Sequence, residues 1–196
     1  MGLRQVAQTL TAKRIGKDIT FYGRVSVLDW NSRPDIVGHI YRFWCEGGSG
    51  IKDGEIFYYP DIDRYFLLVA NTPIYIKSRL RYISGVAVIA NFQCEIKTLV
   101  AGSPDAFGAS SQTWTSKLTT YCNMLSGVLN VSQLAYDQLP ESFYNVMISR
   151  TTEIVYKVQA GDRIIIDGKN YRVELIDETK YTSNIYSCRV TEDNRS

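Results

Sequence analysis

The clearest alternation of apolar and polar positions lies in residues 158–193, VQAGDRIIIDGKNYRVELIDETKYTSNIYSCRVTED. A Gly-Asp pair leads into Ile164, Ile165 and Ile166, Asp167-Gly168 supplies a turn, and Tyr171, Val173 and Leu175 return with period two. Turn chemistry and alternation together predict a β-hairpin, and the run IYSCRV from Ile185 predicts a further strand. Nearer the N-terminus, Ile19, Phe21, Val25 and Val27 predict a strand ending near Asp29-Trp30, NSRPD from Asn31 reads as loop, and EGGSG from Glu46 breaks a second apolar stretch. The runs GEIFYY and RYFLLV flank PDID as another hairpin. Two segments have helical spacing instead. Leu3, Val6, Leu10 and Ile15 precede a stop at Gly16, and Leu118, Tyr121, Cys122, Leu125, Val128 and Leu129 lie within 117–139.

The two hairpins read as copies of one module. GEIFYYPDIDRYFLLVA (54–70) and GDRIIIDGKNYRVELID (161–177) share a Gly-acid start, a branched or aromatic run, an Asp-bearing turn and a Tyr followed by alternating apolar residues. Two further anchors keep the same order: FYGRV from Phe21 against FYNVM from Phe143, and FQCEI from Phe92 against YSCRV from Tyr186. An internal duplication follows. The expected architecture is mainly β, two small β-barrel-like modules with one or two short helices. Residues 1–100 form the first module with a basic arm and long inserted loops, 101–116 the linker, and 117–196 the second. The insertions in the first copy, 31–50 and 71–85, are expected as loops on one end that carry contacts. AGSPDAFGASSQ from Ala101 has the small, turn-forming composition of a linker.

Composition sharpens the β reading. Fourteen tyrosines favour a pleated, half-buried surface and also suit interfaces. A net charge of +2 gives no whole-chain case for wrapping nucleic acid. Locally, Arg4, Lys13, Arg14 and Lys17 precede the first acid, Asp18, and make a basic arm that either is solvated or meets phosphate or an acidic surface. No apolar run approaches the roughly 18 residues of a membrane helix, and the N-terminus lacks a secretory apolar region. A soluble chain that does not contact membrane is expected. Cys45, Cys94, Cys122 and Cys188 form no Cys-x-x-Cys pair and read as small buried hydrophobes of a reducing compartment.

Residue types for catalysis are thin. His39 is the one histidine, with no nucleophile–acid grouping around it, and reads as structural. Asp61 and Asp63 form an Asp-x-Asp that can hold a divalent cation or make its own turn; the second copy has Asp167-Gly168 there, which favours the turn. Gly47-Gly48-Ser49-Gly50 lacks the Lys-Ser/Thr of a phosphate-binding loop. Tyr58, Tyr59, Tyr65 and Phe66 are possible stacking platforms for single-stranded nucleic acid, with few cations beside them. Neither a catalytic site, a metal nor a cofactor is expected.

The segment QAGDRIIIDGKNYRV (159–173) resembles a hairpin that recurs in head–tail joining proteins of tailed bacteriophages, the head-closure or stopper and related neck proteins. The resemblance covers about the last forty residues, and the chain departs from a single-barrel stopper in its length and second copy. It implies a virion structural protein, assembled in the host cytoplasm as a homo-oligomeric ring at the head–tail interface. Its implied partners are portal or adaptor and tail proteins, with DNA near the ring lumen and a share in retaining the genome. On that reading Trp30, Phe43, Trp44 and Tyr75, together with the basic arm, are interface residues; the four large side chains are equally placed to be core. Two other classes stay open: another β-barrel assembly or binding module of a tail or baseplate, and a single-stranded nucleic-acid binder.

Overall fold

A computed structural model describes residues 8–13, 18–27, 40–104, 110–126, 143–151, 155–178 and 184–195. The first barrel contains β1 (Gln8–Lys13), β2 (Ile19–Val27), β3 (Ile40–Glu46), β4 (Ile56–Tyr59), β5 (Arg64–Ile76) and β6 (Arg79–Ile89), with 3-10 turns η1 (Gly47–Ser49) and η2 (Pro60–Ile62). The second contains β7 (Phe92–Pro104), β8 (Ser110–Ser126), β9 (Tyr144–Ser149), β10 (Arg163–Ile166), β11 (Lys169–Asp177) and β12 (Ile185–Glu192). Both are closed, in the orders β1-β2-β3-β6-β5-β4 and β7-β8-β9-β12-β11-β10. Each strand of the first therefore corresponds to the strand six places later in the second. The chain is mainly β, in two barrel modules, as the alternation predicts.

The Gly-acid signature has a physical cause that repeats in both copies. Gly54 and Gly161 have φ of 80° and 91°, in the left-handed region that glycine enters at least cost. Each is third in a turn closed by the next N–H, Glu55 to the Lys52 carbonyl and Asp162 to that of Gln159, both at 3.2 Å. The acid side chain then reaches back over the turn: the Lys52 N–H donates to Glu55 Oε2 at 2.9 Å, and the Gln159 N–H to Asp162 Oδ2 at 2.8 Å. Leu68 and Val173 complete the correspondence, exchanging backbone bonds with Gly54-Glu55 and Gly161-Asp162. Downstream the copies differ. Asp167 (φ 48°) and Gly168 (φ 75°) make the type I′ signature of a two-residue hairpin, whereas the first copy inserts η2 and closes on left-handed Asp63.

Several expected boundaries move. The 101–116 linker is not one: its described residues belong to β7 and β8, and only Ala90 and Asn91 lie between the last strand of one barrel and the first of the next. Consequently FQCEI opens the second barrel instead of closing the first. FYGRV lies on β2 and FYNVM runs into β9, which corresponds to β3, so those two anchors are out of register although the hairpin pair is in register. The helix expected at 117–139 is β8 as far as Ser126, the remainder lying outside the described residues. Leu118 and Cys122 face the barrel core while Tyr121 and Leu125 pack on the other barrel. A strand buried on both faces carries apolar residues at both parities, which imitates helical spacing. The N-terminal helix is likewise replaced over 8–13 by β1, with Leu10 and Ala12 inward at period two.

Each barrel has its own core. Phe21, Phe43, Phe57 and Phe66 fill the first, with the Phe43 and Phe57 centroids 4.9 Å apart. The second is aliphatic and sulfurous: Ile96, Val146, Ile148, Ile164, Val173 and the three thiols Cys94, Cys122 and Cys188. A third cluster, Ile56, Leu67, Val88, Met147 and Ile185, joins the outer walls of both. Burying each such side chain contributes roughly 1.5–3 kcal/mol. Tyr65 stacks on Tyr121 at 3.8 Å across this seam, and Asn123 Nδ2 donates to the Ile89 carbonyl at 2.7 Å. The approach is close enough that a Cβ on Gly54 would overlap the Asn184 carbonyl. At the far side of the second barrel, Asp193 accepts from Arg163 Nε (2.8 Å) and Arg195 Nε (2.7 Å), and both guanidiniums stack over Trp114.

Candidate assembly and contact surface

Two hairpins outrun the barrels they belong to. β3 supports β6 only as far as Tyr82, opposite Glu46, and beyond it β5 and β6 pair only with each other, through Tyr75↔Leu80 and Ile76↔Arg79. β10 supports β7 only over Cys94–Lys97, so from Thr98↔Thr115 to Pro104↔Ser110 the β7–β8 hairpin is also a two-stranded ribbon. Register shifts at Ile74/Tyr75 and Ile96/Lys97 mark where each ribbon leaves its barrel, as bulges at barrel rims do. A ribbon of two strands has no interior. Apolar side chains are therefore exposed there: Tyr75 at 62%, Ile76 at 46% and Leu80 at 39% on one, Leu99 and Val100 on the other, whose Trp114 is half-buried under Arg163 and Arg195.

The expected interface residues fall in different places. Tyr75 is at the β5–β6 ribbon, and Trp44, on the outer face of β3, packs on Tyr82 at 5.7 Å, so an aromatic path runs from the barrel wall to the ribbon. Phe43 is no interface anchor, because its neighbours in the alternation point it inward and it is fully buried among the core phenylalanines. Lys13 ends β1 opposite Ile56. Trp30, Arg4, Arg14, Lys17 and His39 lie outside the described residues. The 71–85 insertion is strand, not loop, since β5 and β6 pair throughout it, and the 31–50 insertion contains barrel strand β3.

Other candidate groups are used internally. Tyr58 donates to Asp63 Oδ1 at 2.6 Å and Tyr59 to Asp61 Oδ2 at 3.3 Å, so each aspartate of the Asp-x-Asp serves the η2 turn. Of the four aromatics read as stacking platforms, Tyr59 and Phe66 are buried in the first barrel and Tyr65 is stacked on Tyr121. All four cysteines are buried and free. Burial pushes the Cys45 thiol up to about 11 and that of Cys188 to about 12, while a hydrogen bond with Cys94, and then burial, raise Cys122. These are inert thiols, since the thiolate is the reactive form.

Lys77, Arg79 and Arg81, all exposed, were not singled out by sequence motifs. Their signal is an absence of acid: between Asp63 and Glu95 the chain has four basic residues and no acidic one. Compared with models of known protein families the chain matches none, and it finds no match among curated proteins.

Proposed function

We propose that the chain is a structural subunit of a tailed-phage virion, assembling as a ring at the head–tail interface and joining portal to tail. The observation that carries the reading is the pair of ribbons, which project apolar side chains beyond closed barrels that already have complete cores. Such arms gain stability when a neighbouring subunit covers them. The head–tail joining hairpin that 159–173 resembles would form part of a barrel wall, and here that segment runs into β10 and β11 of the second barrel. Around a closed ring, modest contacts per subunit add up by multivalency.

The test is assembly. Purified chain, alone or mixed with the portal and tail proteins of its own virion, is expected to give annular particles in negative stain and a matching mass by light scattering. Tyr75→Ser, Leu80→Ser, Leu99→Ser and Val100→Ser together are expected to abolish the rings while leaving a folded monomer, since exposed positions change stability by about 0.5 kcal/mol or less each. Monomers alone in every mixture would sink the proposal.

A further inference from the structure

We infer that the free end of the β5–β6 ribbon is a contact site for the phosphate backbone of duplex DNA, bound without base specificity. Charge is the first ground. Lys77, Arg79 and Arg81 crowd the tip, all exposed, and among the described residues none of them makes an ion pair. The nearest acid in the register is Glu46, opposite Tyr82 at the ribbon base, and its Oε1 accepts from the Tyr22 N–H at 3.3 Å. Arg42, exposed two residues before Trp44 on β3, extends the same sign down the barrel wall.

Shape is the second. From Tyr82 to the turn the ribbon projects roughly 10 Å at about 3.3 Å per residue. A B-DNA major groove is about 12 Å wide and 8.5 Å deep and admits a two-stranded β-ribbon. Exposed Ile76, beside the turn, gives that end an apolar contact to set against sugar edges.

The third ground is the turn itself. Lys77 (φ 50°) and Ser78 (φ 61°) both occupy the left-handed region. Asn-Gly is the residue pair that such a turn favours, and each side-chain-bearing residue there costs about 1–2 kcal/mol. The chain keeps a lysine at the apex despite that strain. Strain retained at an exposed tip points to use of the side chain. This site lies on the ribbon that the ring proposal also uses, and the two are told apart by side chain: Lys77, Arg79 and Arg81 carry DNA binding, Tyr75 and Leu80 the subunit contact.

The experiment is fluorescence anisotropy of the full chain with a labelled mixed-sequence 30-base-pair duplex, at 50 to 200 mM salt. Three phosphate contacts per chain predict a log–log salt slope of about −2.7, a loss of roughly 40-fold across that range. Lys77→Gln, Arg79→Gln and Arg81→Gln combined should bring the slope close to zero; Lys169→Gln with Arg172→Gln, on the second barrel, should leave it unchanged. Lys77→Asn with Ser78→Gly is the folding control: it should raise the unfolding midpoint by relieving the turn, yet make the slope shallower by about 0.9. The site is overturned if wild type shows no duplex binding at 50 mM salt, if the ribbon triple variant keeps the wild-type slope, or if single-stranded DNA of equal length binds more tightly than duplex.

Discussion

Glycine to alanine at two equivalent turns separates what the module needs from what the pair of modules needs. Gly161 and Gly54 share a positive φ, so Gly161→Ala and Gly54→Ala both carry backbone strain of about 1–2 kcal/mol. Their surroundings differ. A Cβ at Gly161 meets open space, whereas one at Gly54 overlaps the carbonyl of Asn184 and comes within 2.7 Å of its Cβ, on the other barrel. Backbone cannot swing aside as a side-chain end can, so Gly54→Ala adds an overpacking cost of about 1–3 kcal/mol. Urea unfolding followed by tryptophan fluorescence reads the difference, which is about 1 M in midpoint for a 2 kcal/mol gap at a slope near 2 kcal/mol per M. Gly54→Ala should also weaken the near-ultraviolet dichroism of the stacked Tyr65 and Tyr121, and Gly161→Ala should not. Equal destabilisation within about 0.5 kcal/mol, with the tyrosine signal intact in both, would refute the close seam between the barrels.

Burial alone would raise the Asp193 carboxyl, but hydrogen bonds from Arg195 and Arg163 outweigh it and hold it well below the usual carboxylate range. Because the folded pKa is depressed, its stabilisation is complete above the unfolded value near 3.9 and is lost as pH falls below it; Asp193→Asn should flatten the acid limb of an unfolding titration and cost about 3 kcal/mol at pH 7. Asp162→Ala should destabilise by about 2 kcal/mol in thermal unfolding, since the Gln159 N–H and the Tyr156 hydroxyl lose their acceptor, and Asp162→Asn, which keeps one oxygen, by less. Thiol titration at pH 8 should find no reactive cysteine in the native chain and all four at about 6 M guanidinium, above the roughly 5 M midpoint that marks hyperstable folds; a fast-reacting thiol in the native state would contradict the burial of the core that holds it.

Local chemistry made the hairpins legible. Asp167-Gly168 between alternating apolar runs leaves few options for the backbone, and the Gly-acid pair recurs because one carboxylate and one positive φ build the same turn twice. The strands that misled are those whose surroundings are not local. β8 carries Leu118 toward one core and Leu125 toward the seam, so its two-sided burial looks like a helix until the neighbouring barrel is in place. The end of β7, Gly102-Ser103-Pro104, looks like a linker because a two-stranded ribbon with no third strand beside it needs no apolar alternation. Phe43 and Trp44 show the limit for the surface: adjacent aromatics on one strand must face opposite ways, and only the closed barrel decides which is inside. The basic ribbon was readable as an acid-free stretch but not as a tip, because the pairing that brings Arg79 opposite Ile76 sets the geometry.

The two ribbons occupy non-equivalent places in the repeat, and that bears on assembly. β5–β6 corresponds to β11–β12, and β7–β8 to β1–β2, so neither long hairpin is the counterpart of the other. In a two-fold dimer one patch meets its own copy on the partner, so like positions come together near the axis. A closed ring of more than two subunits needs instead a heterologous contact, in which each copy offers one surface and receives on a different one. The Tyr75-Leu80 face of one ribbon and the Leu99-Val100 edge of the other are such unlike surfaces, consistent with the proposed ring. Cross-linking of cysteines placed at Tyr75 and at Leu99 should therefore give Tyr75-to-Leu99 links between subunits and few links between like positions. A predominance of Tyr75-to-Tyr75 links would argue for a two-fold dimer and against the ring.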